Sequence, residues 1–131
     1  MKTDVVKNFL IKAEHDLGSA ELIYEKKPEY TDTITFHCQQ TIEKSLKAYL
    51  TYHNVKIKSN HDLIYLIGKC SELEQEFKSF SQDIYADVND IGMSVRYDDI
   101  KNDPKVEEVF RYLEFTREVF EFGKQKIKMQ S

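Results

Sequence analysis

The sequence predicts an all-α protein: an up-and-down, antiparallel four-helix bundle with one additional short helix. Three observations carry that prediction. With 4 glycines and 2 prolines in 131 residues, the chain has few turn-formers. Its apolar residues recur every three to four positions over stretches of about 20 residues, the period of an α-helix with one buried face. The connections between those stretches are short, which makes successive helices antiparallel neighbours, each reaching about 30 Å. No internal repeat or low-complexity linker divides the chain, so one domain over residues 1–131 is expected.

The first helix is expected from Thr3 to Lys26, with Val6, Phe9, Leu10, Ala13, Leu17, Ala20 and Tyr24 on one side. Thr3 or Asp4 can cap its free amides, and Pro28 ends it. A second cap among Thr31 to Thr33 opens a helix over Asp32 to Tyr52, followed by a short extended link from Val55 to Lys58. Asn60 is placed to cap a short third helix, His61 to Cys70, with Asp62 in the first turn where the macrodipole favours negative charge. The fourth, Leu73 to Val95, carries Phe77, Phe80, Ile84, Tyr85, Val88, Ile91 and Gly92. Asp103 as cap and Pro104 as first helical residue mark the fifth, whose stripe of Val106, Val109, Phe110, Leu113, Val119 and Phe120 runs on to Ile127.

Composition narrows the function classes. The chain is 40% hydrophobic and 32% charged, and it contains no run of membrane-span length and no signal region at its start. A soluble, cytoplasmic protein without membrane association is expected. Net charge is −4, from 19 basic and 23 acidic residues, which argues against a general nucleic-acid binder resting on many phosphate contacts; DNA is not an expected partner. Lys44, Lys47, Lys56 and Lys58 gather around the end of the second helix, and Lys124, Lys126 and Lys128 near the end of the chain. These clusters read either as cations at helix C-termini or as a local RNA surface. Cys38 and Cys70 form no Cys-x-x-Cys pair, and Cys38 lies among apolar neighbours as a core thiol would. His15, His37 and His53 make no His-x-x-x-His pair, so neither a metal nor a cofactor is expected.

The stretch from Phe36 to Leu50 is the most distinctive. Phe36, Ile42, Leu46, Tyr49 and Leu50 keep the apolar period, while Gln39, Gln40 and Glu43 interrupt the face that should be apolar throughout. Gln40, Glu43, Lys44 and Lys47 lie three and four apart and can meet along one stripe. The pattern Gln-Gln-x-x-Glu-Lys-x-Leu-Lys-Ala resembles the central helix of HEPN domains. Ala13-Glu14-His15-Asp16-Leu17 with Ala20 is similar to the family's Ala-x-x-Asp-Leu-x-x-Ala first helix, and Asn60-His61-Asp62-Leu63 to its His-Asp-Leu third-helix opening. Arg96-Tyr97 resembles its Arg-Tyr loop, with Asp98 where Pro is common. The resemblance spans about residues 5 to 125.

Many members of that family are ribonucleases with an Arg followed after four to six residues by His. Here the arginines are Arg96, Arg111 and Arg117, the last histidine is His61, and the positions required after Arg96 hold Lys101, Asn102 and Asp103. The usual nuclease pair is absent. The resemblance then implies a nucleotide- or RNA-associated binding and assembly module, a homodimer, with a separately encoded minimal nucleotidyltransferase as partner in a toxin–antitoxin-like system. The residues offered for its ligand or partner groove are Gln40, Glu43, Lys44, Lys47, His61, Asp62, Arg96 and Tyr97. Two alternatives stay open. One is a ribonuclease in which Arg96 holds phosphate and His61 serves as acid or base. The other is a structural helical adaptor in which Arg96 pairs with a carboxylate such as Glu43 or Asp62 and pins the loop before the last helix.

Overall fold

The computed structural model describes residues 1–57, 62–80, 82–94 and 103–127, and all the regular structure among them is helical. The helices are α1 (Lys2–Lys26), α2 (Thr31–Tyr52), α3 (Leu63–Leu73), α4 (Gln82–Ser94) and α5 (Val106–Lys126), with a 3-10 turn over Gln75–Ser79 between α3 and α4. At one end of the bundle Lys2 Nζ donates to the Tyr52 carbonyl at 3.1 Å, so α1 and α2 run antiparallel along their whole length. Gly92 of α4 lies against Thr35 and Gln39 of α2. Phe80 meets Phe122 while Tyr85 meets Phe115, which sets α4 antiparallel to α5. Glu21 with Arg117 and Tyr24 with Phe110 close the circuit between α1 and α5. This is the predicted up-and-down bundle, with α3 as the extra short helix.

The core is built around α2, which touches every other helix. Ile34, Cys38, Ile42, Leu46, Ala48, Tyr49 and Leu50 are buried, and so are Thr35, Gln39, Thr41, Glu43 and Ser45 on the same helix. The hydroxyls among them are satisfied locally. Thr35, Thr41 and Ser45 each donate to the carbonyl four residues earlier, at 2.8, 2.9 and 2.7 Å. Toward the C-terminal end of α2, Tyr49, Phe77, Phe80, Tyr85, Phe115 and Phe122 pack edge to face with centroids 4.8–6.0 Å apart, the arrangement the ring quadrupole favours.

Several expected boundaries move. The fourth helix is not continuous from Leu73 to Val95: α3 runs on to Leu73, and the chain then makes the 3-10 turn. Its cause is local. The Glu74 carboxylate accepts from the Glu76 amide at 3.3 Å, and Ser79 Oγ donates back to the Glu76 carbonyl at 2.7 Å, bonds that compete with an α-helical ladder. The turn delivers Phe77 to full burial. Asp62 caps α3, its Oδ1 accepting from the Ile64 amide at 2.9 Å. Asn60 and Lys58 lie outside the described residues. Helix α5 begins at Val106, two residues after Pro104, because Glu108 Oε1 accepts the Lys105 amide at 2.9 Å and fixes Lys105 as the cap. Neither Thr3 nor Asp4 caps α1, and no side chain among Thr31 to Thr33 caps α2, whose first helical residue is Thr31 itself.

Candidate functional site

Along α2 the interrupted face forms a hydrogen-bonded chain. Gln40 Nε2 donates to Gln39 Oε1 at 2.7 Å, Gln39 Nε2 donates to Glu43 Oε1 at 3.1 Å, and Lys47 Nζ donates to Glu43 Oε2 at 2.9 Å. Gln39 and Glu43 are buried, while Gln40 and Lys47 are half-buried and bring the two ends of the chain toward the surface. A carboxylate held on both oxygens suits the interior, where an unpaired charge is costly. Gln39 also lies under α4: a Cβ at Gly92 would fall 2.6 Å from its Cβ. The close crossing of the two helices at the amide chain requires glycine there.

Lys44 does not join that chain. It turns the other way and, with His37, grips Asp16 of α1. His37 Nδ1 lies 3.0 Å from Asp16 Oδ1, and Lys44 Nζ donates to Oδ2. Burial alone would raise the Asp16 carboxyl, but the hydrogen bonds from His37 and Lys44 and their charges outweigh it and hold the group below the usual carboxylate range. The cluster ties α1 to α2 at mid-length. Lys44 also lines an open groove of about 370 Å³ with Val5, Asn8, Phe9 and Lys12.

Asp62 works at a third place. Besides capping α3, its Oδ1 accepts from Asn89 Nδ2 at 3.3 Å, and Asn89 Oδ1 accepts the Leu63 amide at 3.0 Å, so α4 is stitched to the start of α3. The residues expected to converge are thus divided: Gln40, Glu43 and Lys47 in one chain, Lys44 in a second cluster, Asp62 in a third. His61, Arg96 and Tyr97 lie outside the described residues. Sequence reasoning left Gln39, Asp16, His37 and Asn89 off the site. For Gln39 the signal was its spacing of four from Glu43; for Asp16 it was the Asp of the first-helix motif. His37 and Asn89 offered none.

A model of the HEPN domain matches residues 6–127. The chain belongs to the HEPN family. Among solved structures, the crystal structure of ST0689, an archaeal HEPN homologue, superposes with a TM-score of 0.63 at 19% identity, covering 94% of this chain and 98% of that one. At that identity the likeness is one of fold. No curated protein matches.

Other expected features resolve physically. Lys44 and Lys47 are paired with carboxylates rather than collected at a helix end; α2 has no basic residue in its last turn. Lys124 and Lys126 do sit in the last turn of α5, where Lys126 reaches Glu74 and Glu76. Both cysteines are buried free thiols. Burial pushes Cys38 up to about 12 and raises Cys70 further, so neither is a nucleophile at neutral pH. Among the described residues no group of three or more His, Cys, Asp and Glu side chains is placed to hold a metal, and no helix is long and apolar enough to cross a membrane.

Proposed function

We propose that this HEPN domain is a nucleotide- or RNA-associated binding and assembly module of the cytoplasm, acting as a homodimer beside a separately encoded minimal nucleotidyltransferase in a toxin–antitoxin-like pair. The observation that carries this reading is the amide–carboxylate–ammonium chain on α2, which comes toward the surface at its two ends, Gln40 and Lys47. An amide and an ammonium presented by one helix suit phosphate and base edges. The ligand groove of the proposal takes in Gln40, Lys47, Arg96 and Tyr97, with His61 from the segment before α3.

The test is titration calorimetry of the purified protein against ATP and a short RNA, with Arg96→Ala and Gln40→Ala alongside. Binding lost in both variants supports the reading; an intact, folded protein that binds neither ligand refutes its nucleotide part. RNA cleavage that depends on Arg96 and His61 would move the assignment to the ribonuclease alternative. One observation favours the purely structural alternative: both oxygens of Glu43 are already occupied by Gln39 and Lys47. In that case Glu43→Ala lowers stability without altering any association.

A further inference from the structure

The solvent face of α1 carries a seam that packing within the chain does not explain. Lys7, Ile11, His15, Gly18, Leu22 and Glu25 follow one another at intervals of three and four residues, the spacing of a helix–helix contact line, and all six are exposed. Ile11 is 51% and Leu22 57% exposed, in a helix whose other face already supplies Val6, Ala13, Leu17 and Ala20 to the core. Gly18 sits in the middle of the helix, where glycine is the least favourable residue after proline. A Cβ there would meet nothing within 4 Å among the described residues, so no neighbour among them calls for its absence.

We infer that this face is where a second copy of the chain docks, α1 against α1, antiparallel about a two-fold axis passing between Asp16 and Leu17. This inference rests on the homodimer reading above and names its surface. In that register residues whose numbers sum to about 33 face each other, and the seam is self-complementary in three ways. Ile11 meets the partner's Leu22. The His15 ring meets the space left by the partner's Gly18. Lys7 lies beside the partner's Glu25, and each of these pairs occurs twice, as two-fold symmetry requires. Glu25 is open to such a pair: it touches its neighbour Lys26 at 3.7 Å with both side chains 69% exposed. Antiparallel α1 helices also oppose their macrodipoles favourably. The seam, about 27 Å long and one helix wide, is at the small end of specific interfaces, so a micromolar, concentration-dependent dimer is the expected form.

Sedimentation velocity of the full chain from about 1 to about 200 µM reads this directly, spanning the micromolar affinities of small interfaces. The wild type passes from monomer to dimer across that range. Gly18→Leu, a good helix former that fills the hollow, keeps its helical circular dichroism and stays monomeric. Lys7→Glu weakens the dimer about tenfold or more, and Lys7→Glu combined with Glu25→Lys restores it. A wild type that dimerises while Gly18→Leu and Lys7→Glu dimerise equally well overturns this surface and leaves the homodimer reading standing. A wild type that stays monomeric throughout overturns both.

Discussion

Gly92→Ala is the substitution for which the structure gives the sharpest expectation. The added Cβ would lie 2.6 Å from Gln39 Cβ and 3.0 Å from Gln39 Cγ, with the Thr35 carbonyl at 3.5 Å. Carbon pairs rest about 3.5–4.0 Å apart, so α2 and α4 must part by about 1 Å. The nearest atom is itself a Cβ, which no change of rotamer moves. The cost therefore falls in the upper half of the overpacking range of about 1–3 kcal/mol. Against it stands a helix-propensity gain of about 1 kcal/mol. The net loss is about 1–2 kcal/mol. At about 2.1 cal/mol/K per residue the chain unfolds with an entropy of about 0.28 kcal/mol/K, so the melting temperature falls by about 4–7 °C.

Gly68→Ala is the internal control. An added Cβ at Gly68 meets nothing within 4 Å among the described residues, so the same replacement should raise stability by about 1 kcal/mol. Opposite signs from one chemical change isolate the helix–helix contact from the helix itself. Urea or thermal melts followed by circular dichroism measure both, and the cycle with Gln39→Gly adds a check. Removing the opposing Cβ should make Gly92→Ala less costly by at least about 1 kcal/mol. If Gly92→Ala stabilises the protein as Gly68→Ala does, the close crossing of α2 and α4 at the amide chain is wrong.

Three further expectations follow from single groups. The Tyr85 hydroxyl is buried and has no hydrogen-bond partner among the described residues, so Tyr85→Phe should leave stability unchanged or raise it by up to about 1–2 kcal/mol in urea melts; a clear loss would reveal an unseen partner. Asp16 is held below its unfolded value, so its contribution is fully present above about pH 4, the ordinary aspartate value, and is lost as pH falls through the folded one. The urea midpoint of Asp16→Asn should accordingly change less than that of the wild type below about pH 4, and parallel curves would refute the pairing with His37 and Lys44. With Cys38 pushed up to about 12, native protein at pH 8 should resist iodoacetamide, while urea-unfolded protein reacts at both cysteines; mass spectrometry of the adducts decides it.

What the sequence made legible was whatever depends on helical period. The stripes of α1 and α5 place Val6, Ala13, Leu17, Val109, Leu113 and Val119 in the core where the spacing put them, whereas Val106 and Phe110, expected on the same α5 stripe, are exposed at the start of that helix. Boundaries set by side-chain competition for backbone amides were not legible. Glu74 and Ser79 divert the chain into the 3-10 turn, and Glu108 rather than Pro104 defines the start of α5, through bonds that become visible only when the backbone is in place. The split of the polar stripe on α2 was hidden for a related reason. Lys44 and Lys47 are equivalent by spacing, but Lys44 faces α1 and finds Asp16, whereas Lys47 finds Glu43 on its own helix. Which carboxylate a lysine takes is a tertiary fact.

The oddity of the central helix has the same root. An amphipathic helix needs one apolar face because only one face is covered. Helix α2 is covered on nearly all sides by α1, α3, α4 and α5, so its polar residues are enclosed as well and must be satisfied inside. Small hydroxyls do this by bonding back to their own helix, and the long residues do it by forming the Gln40–Gln39–Glu43–Lys47 chain. The motif that marks the family is therefore first of all a way to bury polar groups at the centre of a bundle. That places a limit on what the motif alone says about activity. A change at Gln39 or Glu43 disturbs folding before it disturbs any ligand. The informative experiments lie at the emergent ends of the chain, Gln40 and Lys47, where binding and stability separate.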